Sequence, residues 1–164
     1  STPQAIAAIE DGSADFAVVT TPTIHSASVT ETSVKSIRDV AICSPSFTML
    51  LNRKVSLSEL KNYPLISLSK GTNSYEFYSD FFKSHGERYR PDIEAFTADQ
   101  ILPIVESDLG IGFVPQEFID PSDHIKVIDL VETVPARHIC MIKRAEQPLS
   151  VAARELEKMI LNHS

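Results

Sequence analysis

A chain of 164 residues with 43% hydrophobic and 23% charged side chains has an ordinary globular composition; it can bury a sizeable core, yet two lobes built from it would each be small. No apolar run is long enough to span a bilayer, so no membrane is expected as a partner. The formal net charge of −7 opposes nucleic-acid binding by this chain itself, because affinity for a phosphate backbone is carried by clustered Lys and Arg, and the densest basic cluster, HGERYRP, is interrupted by Glu87. The opening STPQAIAAIEDGSADF lacks the basic and apolar regions of a secretory signal, which is compatible with a mature chain after cleavage.

In chain order, TPQAIAAIEDG is the first helix: Thr2 suits an N-cap, Pro3 the first helical position, Ile6 and Ile9 share a face, and Gly12 suits the exit. ADFAVVT, from Ala14 to Thr20, is apolar on both faces apart from Asp15, the pattern of a parallel strand covered by helices. A polar stretch containing Pro22 leads to TSVKSIRDVAICS, a long β segment broken near Arg38 and Asp39 that would carry the chain from one lobe to another. SLSELKNYP is a short helix with Ser56 and Glu59 in capping-box spacing, and LISLS is a strand. KGTNSYEFYSDFFKSHG supplies a glycine turn, an Asn73 cap with Glu76 three residues on, a helix with Phe77, Phe81 and Phe82 inward, and Gly86 as its stop. PDIEAF is a strand. TADQILPIVESDLG is a helix in which Pro103 either forces a kink or delays the regular part to about Leu102. The strands IGFVP, HIKVIDL and ARHICMIKR follow. PLSVAARELEKMILNHS closes the chain as a helix whose Leu149, Ala152, Ala153, Leu156, Met159 and Ile160 form one apolar stripe, expected to pack on its own lobe.

The Gly-x-Gly of ESDLGIGFVPQEF invites a nucleotide-binding reading, but the order of elements opposes it. A phosphate cradle needs glycines that open a helix; here Gly110 is read as ending a helix and the run after it as a buried strand of a parallel sheet. Cys43 and Cys140 each sit in an apolar, strand-like run, where a buried reduced thiol is the default; a disulfide would require those strands to be neighbours. No ligand set is spaced for a metal, and no cofactor is called for. Ser44, Ser69 and Ser74 are nucleophiles by residue type only, with no Gly-x-Ser-x-Gly elbow, and His25, His85, His124, His138 and His163 are scattered. Catalytic residues are therefore expected to be absent. Alternation of strands and helices argues for an α/β fold with mainly parallel sheet in two Rossmann-like lobes.

The words AIEDGSADFAVV, YPLISLSKGT, FFKSHGERYRPDIEAFTADQ and IVESDLGIGFVPQ, in this order and spacing, resemble the effector-binding domain of LysR-type transcriptional regulators, a two-lobed relative of type II periplasmic binding proteins. The resemblance covers nearly the whole chain. It implies lobe I at residues 1–38 plus 145–164 and lobe II at 39–144, joined by crossover strands. Two departures stand out: nothing here resembles the family's N-terminal winged helix-turn-helix, and the strand, helix and strand that usually begin the effector domain are missing, which would leave lobe I incomplete. The resemblance further implies a cytoplasmic sensor that pairs as a homodimer or higher homo-oligomer and reaches DNA only through the absent winged helix-turn-helix domain.

The family's effector lies in the cleft between lobes, facing helix N-termini. Three such termini are offered here: Ser1 and Thr2; Gly71, Thr72, Asn73 and Ser74; and Thr97 to Asp99. Backbone N–H groups at helix starts favour anions, which makes a small organic carboxylate the expected effector. Thr2, Asn73, Ser74 and Thr97 match family positions that contact effectors, while Thr2, Asn73 and Thr97 would equally serve as plain caps, and the Asp99 carboxylate would repel an anion unless turned outward. A transporter's solute-binding protein or an enzyme on the same two-lobed fold are the competing readings.

Overall fold

The computed structural model describes residues 2–21, 23, 26–145 and 150–162. The chain divides into two compact units: residues 1–37 with 137–164, and residues 38–136.

Unit 1 contains α1 (Thr2–Glu10), β1 (Phe16–Thr20), β2 (Val29–Ile37), β9 (Arg137–Arg144) and α5 (Val151–Asn162). Ile6 and Ile9, one turn apart on α1, bury against Val19, Val29, Cys140 and Ile142. The sheet order is β1-β9-β2, with β9 antiparallel to both neighbours, Phe16 opposite Lys143 on one side and Val29 opposite Arg144 on the other. This corrects two expectations. ADFAVVT pairs antiparallel, not parallel, and residues 137–144 belong with the first lobe, not the second. The cause is connectivity: the chain leaves unit 1 at the end of β2 and returns in β9, so the returning strand lies beside the outgoing one in the opposite direction. A further difference concerns α5. Only Ala153 of its apolar stripe is buried, while Leu156 is 47% and Met159 59% exposed, and the helix is tied to β9 by a Lys143 Nζ to Glu157 Oε1 contact of 3.1 Å. Leu149 lies outside the described residues.

Unit 2 contains β3 (Asp39–Cys43), β4 (Lys54–Val55), α2 (Leu57–Leu60), β5 (Leu65–Leu68), α3 (Asn73–Ser84), β6 (Ile93–Ala95), α4 (Ile101–Glu106), β7 (Ile111–Pro115) and β8 (Lys126–Leu130). Its six-stranded sheet runs β4-β8-β3-β7-β5-β6. Pairing is parallel at β4–β8, β5–β7 and β5–β6 and antiparallel where β3 meets β7 and β8. Strand alternation gives each face its own core. Leu65 joins Tyr78, Phe81, Phe82, Tyr89 and Phe113 beneath α3, and Ile66 joins Ile101, Val105 and Val114 beneath α4.

Tyr78, at 4% exposure, is the deep residue of the middle of α3; Phe77, expected inward, is only partly buried. The Tyr78 hydroxyl donates to the buried Asp39 carboxylate at 2.6 Å. Phe113 packs against Tyr78 and Phe82 with ring centroids 5.1 and 5.8 Å apart, and burial, moderated by Ser67, raises the Tyr89 hydroxyl above its ordinary pKa. Gly86 stops α3 as expected: at φ +74° it donates to Lys83 O while Glu87 N donates to Phe82 O, the two bonds of a Schellman motif. Pro103 is the third residue of α4. A 3₁₀ turn over Ala98–Gln100 precedes α4, so the proline falls in the first turn, where its missing N–H has no partner to lose.

The glycine pair has a packing explanation. Asp108, not Gly110, takes the left-handed conformation after α4, at φ +62°. Gly110 is needed because a Cβ there would lie 2.4 Å from the Pro64 carbonyl oxygen, and at Gly112 a Cβ would come within 2.9 Å of Ile101 Cγ2. The bare backbone lets β7 press against the start of β5 and the underside of α4.

Candidate ligand-binding site

Parallel strands deliver their loops to one edge of a sheet, and in α/β proteins ligands gather at the strands' carboxyl ends. β5 and β6 are such a pair, with Leu68 opposite Ala95. Each turns at that edge into a helical start. After β5 come Ser69, Lys70, Gly71 and Thr72, then α3; after β6 come Phe96 and Thr97, then the 3₁₀ turn.

The first start is tightly specified. Gly71 sits at φ +91°, a conformation that L side chains rarely adopt. Thr72 is the N-cap: its Oγ1 accepts from Tyr75 N at 3.3 Å and donates to Ser69 O at 2.8 Å. The cap was expected at Asn73, which instead is the first helical residue, followed by Ser74, both half-buried. The second start has Thr97 in extended geometry at the N-cap. Gln100 reaches back so that its Oε1 accepts from Phe96 N at 2.9 Å and Thr97 N at 3.4 Å. Asp99 is exposed within that turn. Ser69 Oγ donates to Glu94 Oε1 at 2.7 Å, tying the first loop to β6.

The structure thus brings Gly71, Thr72, Asn73 and Ser74 to the same edge of unit 2 as Thr97 and Asp99. Thr2 heads α1 in unit 1, and Ser1 lies outside the described residues. Phe96, 85% exposed in the loop after β6, escaped the sequence reading; its only signal was an aromatic at the polar end of a strand. The start of the twelve-residue α3 supplies backbone donors and the positive end of a helix dipole. Glu94 and Asp99 oppose negative charge nearby, so an anion here would be held by directed N–H and hydroxyl groups more than by net field.

Among the described residues at this edge, no serine is paired with a histidine base. Ser69 is bonded to a carboxylate, with no histidine between. Ser44, at the opposite end of the sheet beside β7's start, donates to Asp108 Oδ1, as does Ser46 at 2.6 Å. These hydroxyls hold Asp108 below the ordinary carboxylate pKa, the opposite of what a general base requires. Cys43 and Cys140 are buried free thiols, both pushed up to about 11, chiefly by burial. Among the described residues no group of His, Cys, Asp and Glu is placed to hold a metal ion, and no helix is long and apolar enough to cross a membrane.

Against known proteins, the family model described as the LysR substrate binding domain matches residues 1–164. An uncharacterized HTH-type transcriptional regulator of Bacillus subtilis (strain 168), YwbI, is 31% identical over 159 residues, covering 89% of this chain and 49% of the relative. The chain therefore spans about half the length of that curated relative. Among solved structures, the regulatory domain of Synechocystis PCC6803 CcmR in complex with 2-PG superposes with a TM-score of 0.87 at 15% identity, over 99% of this chain and 79% of that one. The effector binding domain of QuiR in complex with shikimate gives 0.84 at 14% identity, over 99% and 78%.

Proposed function

The chain belongs to the LysR substrate binding domain family, and on that premise we propose that it is the effector-sensing part of a transcription regulator, taking a small organic anion at the edge formed by Gly71–Ser74 and Thr97–Asp99. The observation that carries the reading is the pairing of β5 and β6, whose adjacent carboxyl ends each open into a capped helical start. Two structural neighbours, solved with 2-PG and with shikimate, support a small-molecule effector. The effector acts by population shift, and its influence is bounded by its differential affinity for the states it selects between. DNA contact belongs to a separate winged helix-turn-helix segment, the assembly is a homodimer or higher homo-oligomer, and the regulator works in the cytoplasm.

A thermal-shift screen of small organic acids, amino acids and aromatic carboxylates tests the site. An effector present at about a hundred times its Kd stabilises by roughly 2.7 kcal/mol, so the melting temperature climbs with concentration. The Thr72→Ala/Asn73→Ala double variant loses that response while still melting cooperatively. A hit whose shift is untouched by the double variant would move the site elsewhere, and a flat screen would remove the reading.

A further inference from the structure

Lys70, Lys83, Arg88 and Arg90 line one hollow of about 650 Å³ together with Tyr75 and Tyr89. Its geometry follows from two local patterns. Tyr75, Ser79 and Lys83 stand four residues apart, so they run along one flank of α3. The other wall is the segment after Gly86, in which Tyr89 turns inward at 6% exposure while Arg88 and Arg90 on either side stay exposed. Tyr89 packs against Tyr75 and Phe82 at 5.2 and 5.0 Å between ring centroids, which fixes that wall along the helix.

The charges here are unspent. Among the described residues, Lys70, Lys83, Arg88 and Arg90 make no ion pair or side-chain hydrogen bond, whereas Arg53, Lys54 and Lys143 are each matched by a carboxylate. The carboxylates on the same hollow are Glu76 and Glu87, and Glu87 already faces Lys61 at 3.7 Å. Four cations against two carboxylates leave a local positive excess in a chain of net charge −7. Two guanidinium forks beside two ammonium groups suit the tetrahedral oxygens of phosphate better than a lone carboxylate.

We propose that this groove on the flank of α3 is a second, independent anion site, taking a small phosphorylated molecule that carries more than one negative charge. It shares only its Lys70 end with the effector edge and does not rest on the effector reading. Inorganic pyrophosphate is the probe, titrated at low salt into the 164-residue chain and followed by amide chemical shifts. Saturable shifts centred on residues 83–91 and at Lys70 are expected, weakening as sodium chloride is raised. Arg88→Gln/Arg90→Gln should weaken binding about tenfold or more while keeping the melting temperature of the unliganded chain and its response to any effector. Lys83→Gln gives a milder loss and serves if the double variant folds poorly. The proposal is overturned by shifts that never saturate, by shifts centred on Asn73 and Thr97 that ignore the arginine variant, or by a chain that binds polyglutamate and not pyrophosphate, which would make the groove a protein-docking surface.

Discussion

Unit 2 covers both faces of its sheet, with aromatic rings under α3 and aliphatic side chains under α4. Unit 1 buries α1 against its three strands, yet leaves most of the apolar stripe of α5 in solvent. The stripes on α3 and α5 look alike in sequence. What separates them is the surface each finds: α3 meets a broad sheet whose own residues interdigitate with it, whereas α5 is held mainly through Ala153 and the Lys143–Glu157 pair. Amphipathic spacing reports that a helix has an apolar face, and the breadth of the neighbouring sheet decides how much of that face is buried.

Breaking the dense side of this contrast should have the largest effect. Phe113→Ala removes the ring between Tyr78 and Phe82 and should lower stability by about 3–5 kcal/mol, read as a shift in the urea midpoint. Tyrosine fluorescence is a clean reporter: the chain has four tyrosines and no tryptophan, and Tyr63, Tyr75, Tyr78 and Tyr89 all lie in unit 2. Gly110→Ala comes next, at about 2–3 kcal/mol, because its new methyl meets a backbone carbonyl that cannot swing away; Gly112→Ala should cost roughly 1 kcal/mol, because it meets a side-chain methyl that can. Equal losses at the two glycines would contradict the packing explanation.

Smaller still is the acid response of Asp108. Its folded pKa lies below the ordinary value of 3.8, first through the Ser44 hydroxyl and then Ser46. The unfolded chain therefore binds the proton more readily, so the stabilisation is fully present above that ordinary value and is lost as pH falls through the lower folded one. Ser44→Ala/Ser46→Ala should flatten the fall in melting temperature below about pH 4; an unchanged slope would mean that the cluster does not titrate with folding. At the bottom of the scale, Leu156→Ala and Met159→Ala on α5 should each stay within about 0.5 kcal/mol. A loss near that of Phe113→Ala would erase the contrast between the units.

Punctuation was the legible part of the sequence. Gly86 and Pro103 announced the ends of α3 and the delayed start of α4, because their backbone constraints are local. Partners were not legible. Nothing in RHICMIKR says that it pairs with FAVVT and VTETSVKSI and not with the strands of unit 2, since an apolar strand suits any covered sheet. Gly112 lies in the buried strand expected of it, but Gly110 was read as a helix end, because the close approach of Pro64 that it permits joins segments far apart along the chain. At the candidate edge, cap chemistry singled out the loop residues as helix starts, and the cap itself was misplaced by one residue, from Thr72 to Asn73, since either side chain could fill that role. Phe96 was missed because exposure is not written in a residue's type.

The placement of β9 also sets the order in which the molecule can take shape on the ribosome. Unit 2 is one continuous stretch, residues 38–136, and all its strands are available once that stretch has emerged. β1 and β2 precede that stretch and do not pair with each other; their shared partner, β9, follows it, with Thr30 bonded to Lys143 across a separation of 113 positions. Throughout synthesis of unit 2, β1 and β2 wait without their shared partner, the state in which nascent strands are open to stray pairing and chaperone capture. The sheet of unit 1 can close only after unit 2 has emerged.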